Sequence, residues 1–255
     1  MTASPRLVAF DLDDTLAPSK AVLSSRTADL LIALAERVEV AIISGAQFGQ
    51  FQTQVLAQLP PASPAVLGRV HIMPTCGTQY YRFGVDGFAA RYAHELTADE
   101  KARAMAVAED QARRLGLWES ETWGDILEDR GSQITFSALG QAAPLDAKQA
   151  WDPTGEKKNT LRAAIAARLP DLEVRSGGST SVDITHIGID KAHGMRQLAV
   201  ETGIPLEDML FIGDRLDPDG NDYPVLALGV PCHAVTGPDD TAAFLEGLIP
   251  TLPRR

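Results

Sequence analysis

Apolar residues open the chain in short unbroken runs, separated by stretches of helical spacing. Leu7 to Phe10 is one such run, of strand length, and it stops abruptly at Asp11. It reads as a short buried strand. Ser24 to Arg37 carries Leu30, Leu31 and Leu34, with Val38 just beyond, at the spacing of an amphipathic helix. Val40 to Ile43 is a second apolar strand, ending at Ser44-Gly45, and a helix over Gln47 to Leu59 is expected to follow. Pro60 to Pro64 reads as a surface connection. Val70 to Met73 is a third strand. Strands alternating with helices predict a parallel sheet with helices on both faces.

The pattern then changes. Gln79 to Phe83 and Phe88 to Tyr92 read as a hairpin around Gly84-Val85-Asp86-Gly87. Thr97 and Glu100 form a capping box that opens a helix running to about Leu115. Strand-like runs near Ile126-Leu127 and over Gln133 to Phe136 precede a helix from Glu156 to Leu169, then strands over Leu172 to Arg175 and Ser181 to Thr185. Hairpins grouped with helices predict an α+β layer. Alternation returns with a helix over Asp190 to Thr202, a strand over Met209 to Ile212, a helix over Asn221 to Leu228, a strand over Pro231 to Val235 and a last helix over Pro238 to Leu248. The middle third therefore reads as an insertion into a sheet domain. An insertion beside the carboxyl end of a sheet makes a lid that excludes water and selects substrates.

Composition narrows the function. The 255 residues carry a net charge of −11, which argues against nucleic-acid and anionic-membrane partners. Cys76 and Cys232 lie far apart in no metal-ligand spacing. They imply no disulfide framework and fit a reducing, cytoplasmic compartment. The amino-terminal stretch has no signal-peptide pattern and no apolar run approaches membrane-spanning length, so a cytoplasmic protein is expected.

Chemistry gathers where apolar runs stop. Asp11, Asp13 and Thr15 set two carboxylates and a hydroxyl after the first strand, at the sheet edge where open α/β sheets place their ligands. Close carboxylates repel unless a cation sits between them, and an all-oxygen set suits Mg²⁺. A calcium loop fails by position. Counted from Asp11, its glycine position is Leu16 and its bidentate glutamate position is Val22; counted from Asp217, the glycine position is Asp222. Ser44, Lys191 and Gly213-Asp214 are further polar stops at strand or helix ends. Taken singly, each has a structural reading: an acidic turn, a strand-to-helix turn, a capped helix start, a solvated loop. Their joint order is far more specific.

This set resembles the haloacid dehalogenase superfamily of phosphoryl-transfer enzymes, and the resemblance spans the whole chain. It implies an α/β fold: a Rossmann-like parallel-sheet core over residues 1–82 and 187–255, with an inserted α+β cap of the C2b type over 83–186 that sets substrate specificity. It also implies that Asp11 is the nucleophile and Asp13 the general acid and base. Mg²⁺ would be held by Asp11, the Asp13 backbone carbonyl, Asp214 and Asp222. Thr15, Ser44 and Lys191 would bind the phosphoryl oxygens.

Within the superfamily, the long run Gly213-Asp214-Arg215-Leu216-Asp217-Pro218-Asp219-Gly220-Asn221-Asp222 is similar to the G-D-x-x-x-P-G-G-N-D motif of the eukaryotic-type phosphomannomutases. Arg130 to Gln141 is similar to their R-N-G-M-L-N-V-S-P-I-G-R segment, and Gly177 to Ile184 to G-G-Q-I-S-F-D-V. The implied substrate residues are Lys20, Arg130, Gln141, Lys148, Ser181 and Asp183. Three depart from the family pattern: Gln141, Lys148 and Lys20 stand where it has arginine. Arginine clamps phosphate bidentately and lysine does not. Thr75-Cys76-Gly77 replaces the common E-N-G, with Cys76 expected as a small buried hydrophobe.

The leading expectation is a Mg²⁺-dependent mutase that interconverts mannose 1-phosphate and mannose 6-phosphate through an aspartyl-phosphate. The second is a sugar-phosphate phosphatase of the same superfamily, favoured by Gln141 and Lys148. A non-catalytic phospho-ligand sensor is disfavoured by the presence of Asp11, Asp13, Lys191 and Asp214 together. The partner expected is a small sugar phosphate, and the resemblance implies a homodimer through the cap. The histidines show no metal spacing, and Trp118, Trp123 and Trp151 are expected to pack.

Overall fold

A computed structural model describes residues 4–178 and 180–254. Ser179, within the Gly177 to Ile184 segment, lies outside the described residues. In chain order the elements are β1 (Leu7–Phe10), α1 (Ser25–Ala35), β2 (Glu39–Ile43), α2 (Phe48–Gln54), α3 (Pro64–Leu67), β3 (Val70–Met73), β4 (Gln79–Gly84) and β5 (Gly87–Ala93). Then come α4 (Ala98–Arg114), β6 (Leu127–Asp129), β7 (Gln133–Ser137), α5 (Leu145–Trp151), α6 (Glu156–Ala166), β8 (Leu172–Ser176) and β9 (Ser181–His186). The chain closes with α7 (Lys191–Thr202), β10 (Met209–Gly213), α8 (Tyr223–Ala227), β11 (Cys232–Ala234) and α9 (Pro238–Leu248). Two compact units result: Met1–Ala93 with Asp190–Arg255, and His94–Ile189.

The first unit is built on a seven-stranded sheet of order β11-β10-β1-β2-β3-β4-β5. The first five of these strands run parallel, and β4 and β5 are antiparallel. Side chains alternate faces along a strand. Val8, Phe10, Val40 and Ile42 therefore pack with Leu31 and Leu34 of α1 and Leu245 of α9. Leu7, Ala9, Ala41 and Ile43 pack with Met195 and Leu198 of α7. Burial on both faces explains why β1 and β2 read as continuous apolar runs rather than alternating ones. The hairpin read as part of the insertion extends this large sheet instead: Ile72 of β3 pairs with Tyr81 of β4. The second unit accordingly begins at His94 rather than at residue 83.

The second unit has a four-stranded antiparallel sheet of order β6-β7-β9-β8. One face is apolar. Ile134, Phe136, Val182 and Ile184 pack with Leu161 and Ile165 of α6 and with Ala104, Ala108 and Ala112 of α4. Those alanines, four apart, form one small-residue ridge that lets α4 lie close on the sheet. The opposite face of β7 and β9 carries Gln133, Thr135, Ser137, Ser181, Asp183 and Thr185 in the alternate positions. Trp118 and Trp151 pack at the margin of the apolar core, whereas Trp123 is exposed.

Several helices differ from their expected extents. The helix expected over Gln47 to Leu59 breaks after Gln54, whose carbonyl accepts from Leu23 N at 2.9 Å. The helix expected from Asn221 starts at Tyr223, because Asp222 N is turned back to the Arg215 carbonyl. The short helices α3 and α5 fall where the spacing predicted none. No helix among the described residues is long and apolar enough to cross a membrane.

Candidate active site

Parallel strands present their carboxyl ends on one edge. Here β1 leads on to β2 and β3 on one side, while β10 and β11 occupy the other. The crevice at such a reversal of strand order is where α/β sheets bind ligands. Asp11 follows β1 and Asp214 follows β10, its hydrogen-bonded neighbour, so both carboxylates emerge there.

Around them the side chains are buried and tightly paired. Lys191, at the start of α7 and 2% exposed, places Nζ 2.7 Å from Asp11 Oδ1 and 2.6 Å from Asp222 Oδ1. Leu12 N also donates to Asp11 Oδ1, at 2.7 Å. Arg215 N donates to Asp222 Oδ2 at 3.1 Å. Gly213 makes room for this, since a Cβ there would overlap the Asp222 carboxylate. Thr15, expected to contact phosphate, donates its hydroxyl to Asp214 Oδ1 at 3.2 Å. Its carbonyl accepts from the Thr241 hydroxyl at 2.7 Å. Thr15 thus orients a carboxylate. Asp13 is half-buried, and its Oδ1 accepts from Lys20 N at 2.7 Å. Lys20 itself is exposed.

Ser44 is buried after β2, with Oγ accepting from Ala46 N at 3.1 Å. Its loop is pinned by Thr75-Cys76-Gly77, three consecutive residues with φ of 47°, 55° and 84°. Cys76 N donates to the Ser44 carbonyl at 2.9 Å and Thr75 N to the Ala46 carbonyl at 3.0 Å. A left-handed non-glycine residue costs on the order of 1–3 kcal/mol and persists only where its surroundings hold it. Cys76, expected as a buried hydrophobe, is instead a half-buried member of this strained turn.

Asp11, Asp214 and Asp222 form a cluster whose ligand oxygens all lie within 4.8 Å of one another. Burial, opposed by Lys191 and reinforced by Asp222, pushes the Asp11 carboxyl up to about 7. Asp214 is likewise raised, by burial and then by Asp222. Burial opposes the charge on Lys191, but Asp11 and Asp222 outweigh it and hold the ammonium charged. Three carboxylates to one ammonium leave a negative excess in a buried pocket. The donor set is hard oxygen throughout, so it fits a hard divalent cation.

The other expected substrate residues lie in the second unit, in two hydrogen-bonded sets on one sheet. Arg130 meets Glu128 Oε2 through Nε at 2.8 Å and through a terminal nitrogen at 2.7 Å. It also donates to Gln141 Oε1 at 3.2 Å. Gln141 Nε2 donates to Ser137 Oγ at 2.9 Å, and Ser137 and Ser181 hydroxyls lie 3.0 Å apart. Lys148 Nζ donates to the Gln141 carbonyl at 3.2 Å. Gln133 donates to Thr135 at 2.8 Å, and Thr135 to Asp183 Oδ1 at 2.8 Å. Burial raises Asp183 despite the nearby Arg130 and these donors. Gly177 clears the other oxygen, because a Cβ there would lie 2.7 Å from Asp183 Oδ2. Glu128 and Thr135 were not singled out from sequence. Their signal was the strand period: Glu128 is two residues from Arg130, and Thr135 two from both Gln133 and Ser137.

The fold and acid cluster fit an enzyme of the haloacid dehalogenase phosphotransferase type, and the relatives of the chain bear this out. The chain belongs to the eukaryotic phosphomannomutase family, whose profile matches residues 27–251. A phosphomannomutase of Saccharomyces cerevisiae is 26% identical over 95% of this chain and 93% of its own. A probable phosphomannomutase of Caenorhabditis elegans is 23% identical over 98% of each. Among solved structures, a haloacid dehalogenase-like hydrolase from Bacteroides thetaiotaomicron shares the fold with a TM-score of 0.62 at 18% identity, over 96% of this chain and 100% of its own. A Plasmodium falciparum IMP-nucleotidase does so with a TM-score of 0.72 at 15% identity, over 96% of this chain and 71% of its own.

Proposed function

We propose that the chain interconverts mannose 1-phosphate and mannose 6-phosphate through an aspartyl-phosphate on Asp11. The observation that carries this reading is the buried contact of Asp11 with Lys191, beside Asp222 and Asp214. Family membership supports the sugar-phosphate class. In this reading a carboxylate oxygen of Asp11 attacks phosphorus. Asp13, steadied by the Lys20 backbone, protonates the departing sugar oxygen and later takes a proton from the accepting hydroxyl. Lys191 and the Ser44 hydroxyl stabilise the phosphoryl oxygens. Asp11, Asp214 and Asp222 would hold Mg²⁺, which supplies charge neutralisation as a Lewis acid. The second unit serves as the substrate-selecting cap through Arg130, Gln141, Lys148, Ser181 and Asp183.

The test uses purified protein, Mg²⁺ and mannose 1-phosphate, with and without a trace of mannose 1,6-bisphosphate. Production of the 6-phosphate that depends on the bisphosphate supports a mutase. Absence of 6-phosphate under both conditions sinks it.

A further inference from the structure

At the amino edge of the large sheet, three arginines from separate segments line one surface cavity. Arg37 stands between α1 and β2, Arg69 precedes β3, and Arg254 lies beyond α9. The cavity has a volume of about 510 Å³, and Glu36 and Val66 complete its lining. That is the size of a small-molecule pocket. Two of the guanidiniums are held by backbone. Arg69 donates through one terminal nitrogen to the Ala35 and Glu36 carbonyls, at 3.1 and 3.2 Å, where α1 ends. Arg37 donates through one terminal nitrogen to the Leu252 carbonyl at 3.4 Å. Each keeps its Nε and second terminal nitrogen for another acceptor. Among the described residues, none of the three guanidiniums is paired with a carboxylate, although acids outnumber bases 34 to 23 in this chain. A cation at the carbonyl end of a helix has a structural use, which accounts for Arg69. It does not account for Arg254, which is exposed and makes no hydrogen bond among the described residues.

We infer that this cavity is a second anion site, which takes a small ligand through a diphosphate group. Three guanidiniums against the Glu36 carboxylate leave positive charge in excess inside an acidic chain. A planar guanidinium fork engages two oxygens at once, so three forks match the six terminal oxygens of a diphosphate better than the fewer oxygens of one phosphate. Fixing Arg37 and Arg69 by backbone lowers the entropy lost when the anion binds. Val66 is the one apolar side chain in the lining, so recognition rests on charge rather than on a ring or acyl group. The site is independent of the chemistry proposed at Asp11. Strands β1, β2 and β3 run parallel, and Asp11 follows β1 whereas Arg37 and Arg69 come before β2 and β3. The two places therefore lie at opposite ends of the strands, roughly 13 Å apart along them.

Isothermal titration of the full chain with sodium pyrophosphate, in EDTA and without divalent cations, tests the site. Wild type should bind one pyrophosphate per chain, and inorganic phosphate at least about tenfold more weakly. Arg254→Gln should weaken pyrophosphate binding about tenfold, the loss of one charge-assisted pair, and Arg254→Glu should abolish it. Arg37→Gln should weaken it to a similar degree. Because Arg254 is exposed and unpaired among the described residues, its variants should keep the wild-type urea midpoint, so that lost binding is not lost folding. Absence of saturable binding by wild type would overturn the site, and equal affinity for the two anions would overturn its assignment to a diphosphate. An affinity unmoved by Arg254→Glu would place the anion elsewhere, the acid cluster included, and would also overturn the inference. None of these outcomes bears on phosphoryl transfer at Asp11.

Discussion

At the edge of the large sheet, Lys191 faces a cluster of three carboxylates, nearly all of it inaccessible to water. On the small sheet, Arg130 is paired with Glu128, and Asp183 accepts from Thr135. The first arrangement carries a negative excess that a cation would relieve; the second is paired within itself. On the proposed reading, the difference separates reaction from selection. Unbalanced buried charge supplies reactivity. Balanced hydrogen bonding supplies discrimination, since a ligand lacking the right hydroxyls leaves buried groups unpaired.

The largest effect expected is from Asp11→Asn, which removes the nucleophile and should lower phosphoryl transfer by at least about 10⁴-fold in a steady-state assay. Residual activity within about tenfold of wild type would place the chemistry elsewhere. Next comes a paired measurement of buried charge by urea unfolding. Lys191→Met leaves Asp11 and Asp222 without their shared cation and should cost about 3–5 kcal/mol. Arg130→Met leaves Glu128, which is 21% exposed at its side chain, and should cost only about 1–3 kcal/mol. Equal costs would break the contrast between the two clusters.

A smaller effect sharpens the role of the cap face. Gly177→Ala sets a Cβ 2.7 Å from Asp183 Oδ2 and should raise KM roughly fivefold, about 1 kcal/mol, with kcat little changed. A fall in kcat at constant KM would argue that Asp183 acts on the reacting end. The smallest effect belongs to neither cluster. His71 is buried between the Tyr80 hydroxyl at 2.8 Å and Glu39 Oε2 at 3.1 Å. Burial lowers its pKa below the usual 6.5, with Glu39 opposing. The unfolded chain therefore takes up a proton at 6.5 that the folded chain refuses until lower pH. This costs stability as pH falls below 6.5 toward the folded value and nothing above it. In His71→Gln, the loss in unfolding free energy between about pH 7 and about pH 5 should shrink by up to roughly 1 kcal/mol. An unchanged loss would assign the acid sensitivity to other groups.

Much of this organisation is legible in the linear order of residues. β1 and β10 are covered on both faces, so they must be apolar throughout, and a run that ends in Asp11 or Asp214 marks a sheet edge without knowledge of the fold. The small sheet has one apolar and one polar face, so its alternation of Ile134 and Phe136 with Gln133, Thr135 and Ser137 is equally visible. Helix extents are less so. The break after Gln54 depends on Leu23 N, remote in sequence, taking a carbonyl that the helix would otherwise use.

Sequence by itself determined the kinds of element and the positions where polar groups interrupt them, because local periodicity and abrupt strand ends are properties of neighbouring residues; the motif resemblance and the family profile, not the periodicity, carried the family. Only the tertiary structure decided which sheet the hairpin of β4 and β5 joins, whether the Thr15 hydroxyl meets Asp214, and that Glu128 offsets Arg130. Each is a choice among partners of similar chemistry. A hydrogen bond or ion pair is decided by distance, and distance between remote residues is set by how the sheets pack.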